Sequence, residues 1–149
     1  MLTEDIEVII LAAGLGTRMN SQRPKVLHEL AGKPIISYLI DTVKKIHPKN
    51  ITFVIGPEDN FTKELIKPYD SVIQQTREGT AHAVMSAKEK ITLNHGTILV
   101  LFGADPFVEV STLKKMIDER KSGSNVVVLG FETNNPGKYG RLKLNNENE

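Results

Sequence analysis

Cysteine and tryptophan are absent from this chain of 149 residues, and aromatic residues make up only 5% of it. Without cysteine there is no disulfide framework and no thiolate metal site. The absence fits a reducing compartment, and the expected location is the cytoplasm. No apolar run reaches the roughly 18 residues needed to cross a bilayer. The opening "MLTEDIEVIILAAG" carries acids where a secretory leader carries bases, so it does not read as a signal peptide. An excess of one charge is missing as well. The formal net charge is +1, which points to neither nucleic acid nor a membrane surface as a partner. His28, His47, His82 and His95 show no metal-ligand spacing. Internal repeats and low-complexity tracts are also lacking.

What is there has the balance of an ordinary globular protein, with 40% hydrophobic and 25% charged residues. The length suits a single domain, residues 1–149, large enough to bury a core without staples. "EVIILAA" is a continuous apolar run, the pattern of a strand buried on both faces of a parallel sheet. "KPIISYLIDTVKKI" is helical, with Pro34 at a first helical position and Ile35, Ile36, Leu39, Ile40, Val43 and Ile46 on one face. "NITFVIG", "SVIQQ" and "GTILVLFG" read as further strands. "NFTKELIK", capped by Asn60, "GTAHAVMSAKEKI", and "VSTLKKMIDERKSG", capped by Ser111 and stopped near Gly123, read as helices. "NVVVLGFET" is predicted as a fifth strand and "KYGRLKLN" as a sixth at an edge. Alternating strands and helices imply an α/β domain, a mostly parallel sheet with helices on both faces. Ligands of such sheets sit at the carboxyl ends of the strands.

The first strand ends where "LAAGLGTRMNSQRPKVLHELAGKP", residues 11–34, begins. Gly14 and Gly16 give a backbone freedom of angle and close approach to a ligand. Successive N–H groups in such a turn form an anion-binding nest. Thr17 adds a hydroxyl, Arg18 a planar cation and Lys25 a mobile point charge, all suited to phosphate. The dinucleotide fingerprint wants glycine where Met19 stands, and the Walker spacing is absent. The residues alone therefore describe a phosphate-gripping loop of neither familiar type, with a plain surface loop as the bland alternative.

"LAAGLGTRM", "PKVLHELAGKP", "QQTREGTAHAV", "LVLFGADPF" and "PGKYGRL" together resemble the sugar-nucleotide pyrophosphorylases. The likeness is to the uridyltransferase domain of the bacterial bifunctional enzymes that make UDP-N-acetylglucosamine, a peptidoglycan precursor, and it covers nearly the whole chain. The resemblance implies a Rossmann-like nucleotidyltransferase fold, a three-layer sandwich. It implies transfer of UMP from UTP to N-acetylglucosamine-1-phosphate with release of pyrophosphate, and a Mg²⁺ cofactor. Such chemistry is mostly positioning and electrostatics. By the same resemblance, Leu11, Ala12, Ala13, Gly14, Gly16 and Thr17 would line the nucleotide, and Arg18 and Lys25 would be the catalytic cations. Gln74 would meet the uracil edge, with Gly79 and Thr80 close to the base at a helix start that carries free N–H donors. Gly140 would support the sugar. Gln74 reads equally as a surface polar residue at a strand end, Gly79 as a mere helix start, and His82 as structural.

Three departures from the family pattern set further expectations. The family's metal-binding Asp falls on Ala104, with a carboxylate one residue later at Asp105. Asp105 is thus either a metal ligand or the organiser of a turn before Pro106. Leu15 replaces a commonly polar residue. The family's domain continues beyond this length, so the chain is expected to be a C-terminally truncated form without the β-helical acetyltransferase half. Three readings stay open: a working uridyltransferase, a nucleotide-binding remnant without turnover, and a nucleotidyltransferase for another sugar- or alcohol-phosphate. The expected partners are UTP or a UDP-sugar and N-acetylglucosamine-1-phosphate, with a homo-oligomer or a complementing chain also open.

Overall fold

The computed structural model describes residues 5–14, 16, 19–21, 23–137 and 139–143. Its frame is a four-stranded parallel sheet in the order β5-β4-β1-β6. The strands are β1 (Ile6–Leu11), β4 (Asn50–Ile55), β5 (Asp70–Ile73) and β6 (Thr97–Phe102). A small antiparallel pair, β2 (Glu29–Leu30) and β3 (Lys33–Pro34), interrupts the first crossover. The sequence pattern does not foretell this pair, because two-residue strands have no periodicity to read.

The helices are α1 (Ile35–Lys44), α2 (Asn60–Leu65), α3 (Thr80–Ser86) and α4 (Val110–Lys121). In α1, Ile36, Leu39, Ile40 and Val43 are buried while Asp41 and Lys44 are exposed, as the helical spacing demands. Lys33 donates to Asp41 at that outer surface, and this bond holds the Asp41 carboxyl below its ordinary range. Pro34 sits just outside α1 as its cap residue rather than inside it.

The sheet separates two apolar clusters. Val8, Ile10, Phe53, Ile55, Leu99 and Leu101 face α1 and α4, where Leu39, Val43, Leu113 and Ile117 close the layer. Ile9 and Val54 face the other way, against Ala83 and Ala87 from α3 and the residue after it. Helices therefore cover both faces, giving the three-layer α/β sandwich. Truncating a fully buried Leu39 or Leu113 would cost about 2–5 kcal/mol by this packing. On the α3 side, Ile98, Val100 and Phe102 of β6 remain exposed. No helix among the described residues is long and apolar enough to cross a membrane.

Several local expectations need correction. Asp59, not Asn60, caps α2, accepting from the Thr62 N–H at 3.0 Å. Glu109 occupies the cap position of α4, and Ser111 instead donates to the Glu109 carboxylate at 3.1 Å. "NVVVLGFET", residues 125–133, forms no strand, and neither do residues 139–143 of "KYGRLKLN". Apolar, β-branched composition fits a pleated surface only where a neighbouring strand supplies the ladder, and these segments have no such neighbour among the described residues.

Candidate active site

Leu11, Ile55, Ile73 and Phe102 end the four parallel strands along one rim of the sheet. Hydrogen bonds carry the ladder one residue further at three places. Ala12 N–H donates to the Val54 carbonyl (2.7 Å), Gln74 N–H to Ile55 (2.9 Å) and Gly103 N–H to Leu11 (2.8 Å). The residues that follow the strands are thus held by the sheet itself, while the chain turns away. The order β4-β1-β6 also makes β1 the point where the crossovers reverse direction, the usual place for a ligand in such sheets.

Leu11, Ala12, Ala13, Gly14 and Gly16 leave β1 at this rim. Ala12 and Ala13 are buried, Gly14 is exposed, and a Cβ on Gly14 would meet nothing within 4 Å. Gly16 has φ +60°, and a Cβ there would lie 2.9 Å from the Lys25 Cβ. This position needs glycine for its backbone angle and for its neighbour. The close approach draws Lys25 against the loop, at the start of a short 3₁₀ turn, Lys25–Leu27. That turn is anchored by buried Val26, whose side chain borders Gly103. Thr17 and Arg18 lie outside the described residues, as does Leu15.

Gln74 is the first residue after β5 and is 4% exposed. Its Nε2 lies 3.2 Å from the Gly79 carbonyl and 3.2 Å from His82 Nδ1. Gly79 has φ +101°, and the same carbonyl accepts from Ala83 N–H at 3.1 Å. Gly79 and Thr80 are exposed beside Gln74. The structure therefore brings Gln74, Gly79, Thr80 and His82 together on the β5–α3 connection.

One residue that sequence reasoning missed joins this cluster to the β1 loop. Arg77 Nε donates to the Ala13 carbonyl at 2.9 Å, across 64 positions of sequence. Its guanidinium lies over Gly56, the residue after β4, where a Cβ would come within 2.6 Å of Arg77 Nη2. The only sequence trace is an arginine just before "GTAHA" and a glycine closing the second long strand. Neither Arg77 nor Lys25 has a carboxylate partner among the ion pairs of the described residues. Two uncompensated cations and a glycine-lined rim make this end of the sheet suited to a polyanion.

Asp105 follows β6 and Gly103 and is exposed, its N–H donating to the Phe102 carbonyl at 3.1 Å. It borders a hollow of about 910 Å³ shared with Phe107, Leu129, Phe131 and Tyr139. Among the described residues no group of three or more acidic, histidine or cysteine side chains converges as a metal cage would require. One carboxylate supplemented by phosphate oxygens is nevertheless a usual donor set for Mg²⁺, so Asp105 fits as a single protein ligand. Gly140 is exposed, next to Tyr139, whose ring meets Phe131 edge-on at 5.1 Å. No hydrogen bond among the described residues links Gly140 to the strand rim.

The family described as the MobA-like NTP transferase domain matches residues 8–141. The "Bifunctional protein GlmU" of Paramagnetospirillum magneticum is 44% identical over 99% of the chain, which covers 33% of that protein. The chain spans about a third of the length of the curated relatives it matches. Among solved structures, Rv0371c of Mycobacterium tuberculosis superposes with a TM-score of 0.68 at 21% identity, over 82% of this chain and 63% of that one. A second structure of the same protein is a complex with manganese, with a TM-score of 0.65 at 19% identity over 80% and 61% of the two chains. A 4-diphosphocytidyl-2C-methyl-D-erythritol synthase from Anaerococcus prevotii reaches 0.64 at 22% identity, over 79% and 52%. At these identities the structures speak for the fold.

Proposed function

Because the chain belongs to the MobA-like NTP transferase family, we propose that it is the nucleotide-handling part of a sugar-1-phosphate uridyltransferase. The observation that carries this reading is the gathering of Gly14, Gly16, Lys25, Arg77 and Gln74 at the carboxyl ends of adjacent parallel strands. UTP and N-acetylglucosamine-1-phosphate are taken as the substrates because the motif resemblance described above implies them.

In the proposed reaction a phosphate oxygen of the sugar-1-phosphate attacks the α-phosphorus of UTP. The new oxygen–phosphorus bond forms as the bond to the β-phosphate bridging oxygen breaks, and pyrophosphate leaves with that electron pair. The loop backbone from Leu11 to Gly16 approaches the triphosphate. Lys25 offsets its charge, and Arg18 and Thr17 are proposed to act from the same loop. Gln74, with Gly79 and Thr80 beside it, meets the base. Gly140 is proposed for the sugar side. A divalent metal, which the manganese complex of Rv0371c supports as a class and for which we take Mg²⁺, would supply a Lewis acid for the phosphate oxygens, held on the protein by Asp105.

The test is an assay of pyrophosphate with UTP, N-acetylglucosamine-1-phosphate and Mg²⁺, run beside calorimetry of UTP binding. Metal-dependent release at a rate above the protein-free control is the expected result. A second reading is favoured by the lack, among the described residues, of any group of three or more side chains that could cage a metal: the chain binds nucleotide and does not turn it over. Binding without release would select that reading, and no binding would sink both.

A further inference from the structure

We infer that His82 is a positioning residue that fixes which way round the Gln74 amide points, and thereby makes the site prefer a base with a ring N–H, the uracil type, over one with a bare ring nitrogen, the cytosine type. The inference rests on the reading of Gln74 as the base contact given above.

The orientation follows from the acceptors around the amide. A backbone carbonyl only accepts, so the Gln74 atom 3.2 Å from the Gly79 oxygen is the amide nitrogen. That nitrogen carries a second proton, and it stands 3.2 Å from His82 Nδ1. For this contact to be a hydrogen bond the ring nitrogen must accept, which requires the tautomer with its proton on Nε2. Both amide protons are then committed to the protein. Only Oε1 remains, with no hydrogen-bond partner among the described residues and not sealed from solvent.

An oxygen acceptor presented to the base pairs with the N3–H of uracil. Cytosine offers a lone pair at the same ring position, so two acceptors would face each other. Rotating the amide to suit cytosine would set Oε1 against the Gly79 carbonyl, and also against the Nδ1 lone pair unless the imidazole changes tautomer. Buried polar groups left facing the wrong way are costly, which is how such sites discriminate. Without His82 only the Gly79 carbonyl would oppose the rotation, and a donor at position 82 would favour it. The turn supports the arrangement, since Gly79 holds φ +101° and leads directly into α3, which carries His82.

The experiment measures Kd for UTP and CTP by calorimetry, at one Mg²⁺ concentration, on the wild-type chain, His82→Phe and His82→Lys. Imidazole ¹⁵N resonances of the wild-type chain report the tautomer. We expect the wild-type chain to prefer UTP by about tenfold or more. His82→Phe should lower that ratio several-fold, and His82→Lys should bring it near one or invert it. A merely structural histidine would weaken both nucleotides together and leave the ratio alone. An unchanged ratio in folded variants, or a proton found on Nδ1, overturns the inference; the resonances decide alone if neither variant folds. A wild-type chain that binds neither nucleotide overturns the nucleotide reading and this one with it.

Discussion

Replacing Gly56 by alanine tests the bridge between the two halves of the rim. The added Cβ would stand 2.6 Å from Arg77 Nη2, where ordinary contact needs about 3.5 Å or more. The guanidinium must therefore move by roughly 1 Å, which stretches the 2.9 Å bond from Nε to the Ala13 carbonyl beyond hydrogen-bond range. A charge-assisted bond is worth about 1.5–3 kcal/mol. Arg77 is exposed and water replaces part of the loss, so about 1 kcal/mol is expected. Taken alone, for a domain of this size, that loss would lower Tm by roughly 2–4 °C. The backbone at Gly56 lies outside the left-handed region, so alanine costs nothing there and stiffens the unfolded chain by about 0.4–1 kcal/mol in the protein's favour. The effect should therefore depend on residue 77. The two terms together leave Gly56→Ala between neutral and about 0.6 kcal/mol destabilising in the wild-type chain, and stabilising by about 0.4–1 kcal/mol when Arg77→Ala is already present. Urea unfolding of the four proteins of this cycle gives the coupling directly. Equal destabilisation in both backgrounds would refute the account of Arg77 lying on Gly56.

Three further outcomes are expected. Lys25→Ala should weaken UTP binding by about 1.5–3 kcal/mol with little change in Tm, read by calorimetry and thermal unfolding; unchanged affinity would remove the loop from the phosphate site. Gly96→Ala should destabilise the fold by about 2 kcal/mol or more, because Gly96 has φ +140° and a Cβ would run into the Asp5 carbonyl; urea unfolding checks it. The Asp41 carboxyl is depressed by its bond from Lys33, so its contribution is present above the ordinary value near 3.8 and is lost as pH falls through the lower folded value. Asp41→Asn should accordingly flatten the acid limb of Tm against pH below about pH 4, and an unaltered limb would show the pair to be idle.

The frame of the molecule was readable because burial and periodicity act locally. The β1 run, the one-sided apolar pattern of α1 and the glycines after β1 each state their role within a few residues. Residues 125–133 misled for the complementary reason: a strand is a relation between two segments, and composition describes only one of them. Asp59 and Asn60 are both good caps, and sequence alone does not choose between adjacent candidates. Arg77 was invisible because its meaning depends on Ala13 and Gly56, which are distant along the chain and adjacent only in the folded sheet. His82 was visible as a residue near the site, but its contact with the Gln74 amide was not, because it depends on a turn that Gly79 makes at positive φ.

The buried position of Gln74 carries a thermodynamic consequence. A free glutamine samples many rotamers, and immobilising such a side chain costs up to about 1.5–2 kcal/mol of entropy. Here the main chain is tied to Ile55 and the amide to Gly79 and His82, so that loss is incurred during folding and not when a ligand arrives. Any base edge that meets Oε1 encounters a group already stationary. The association should then show a smaller entropic penalty than one that must first order its contact residue.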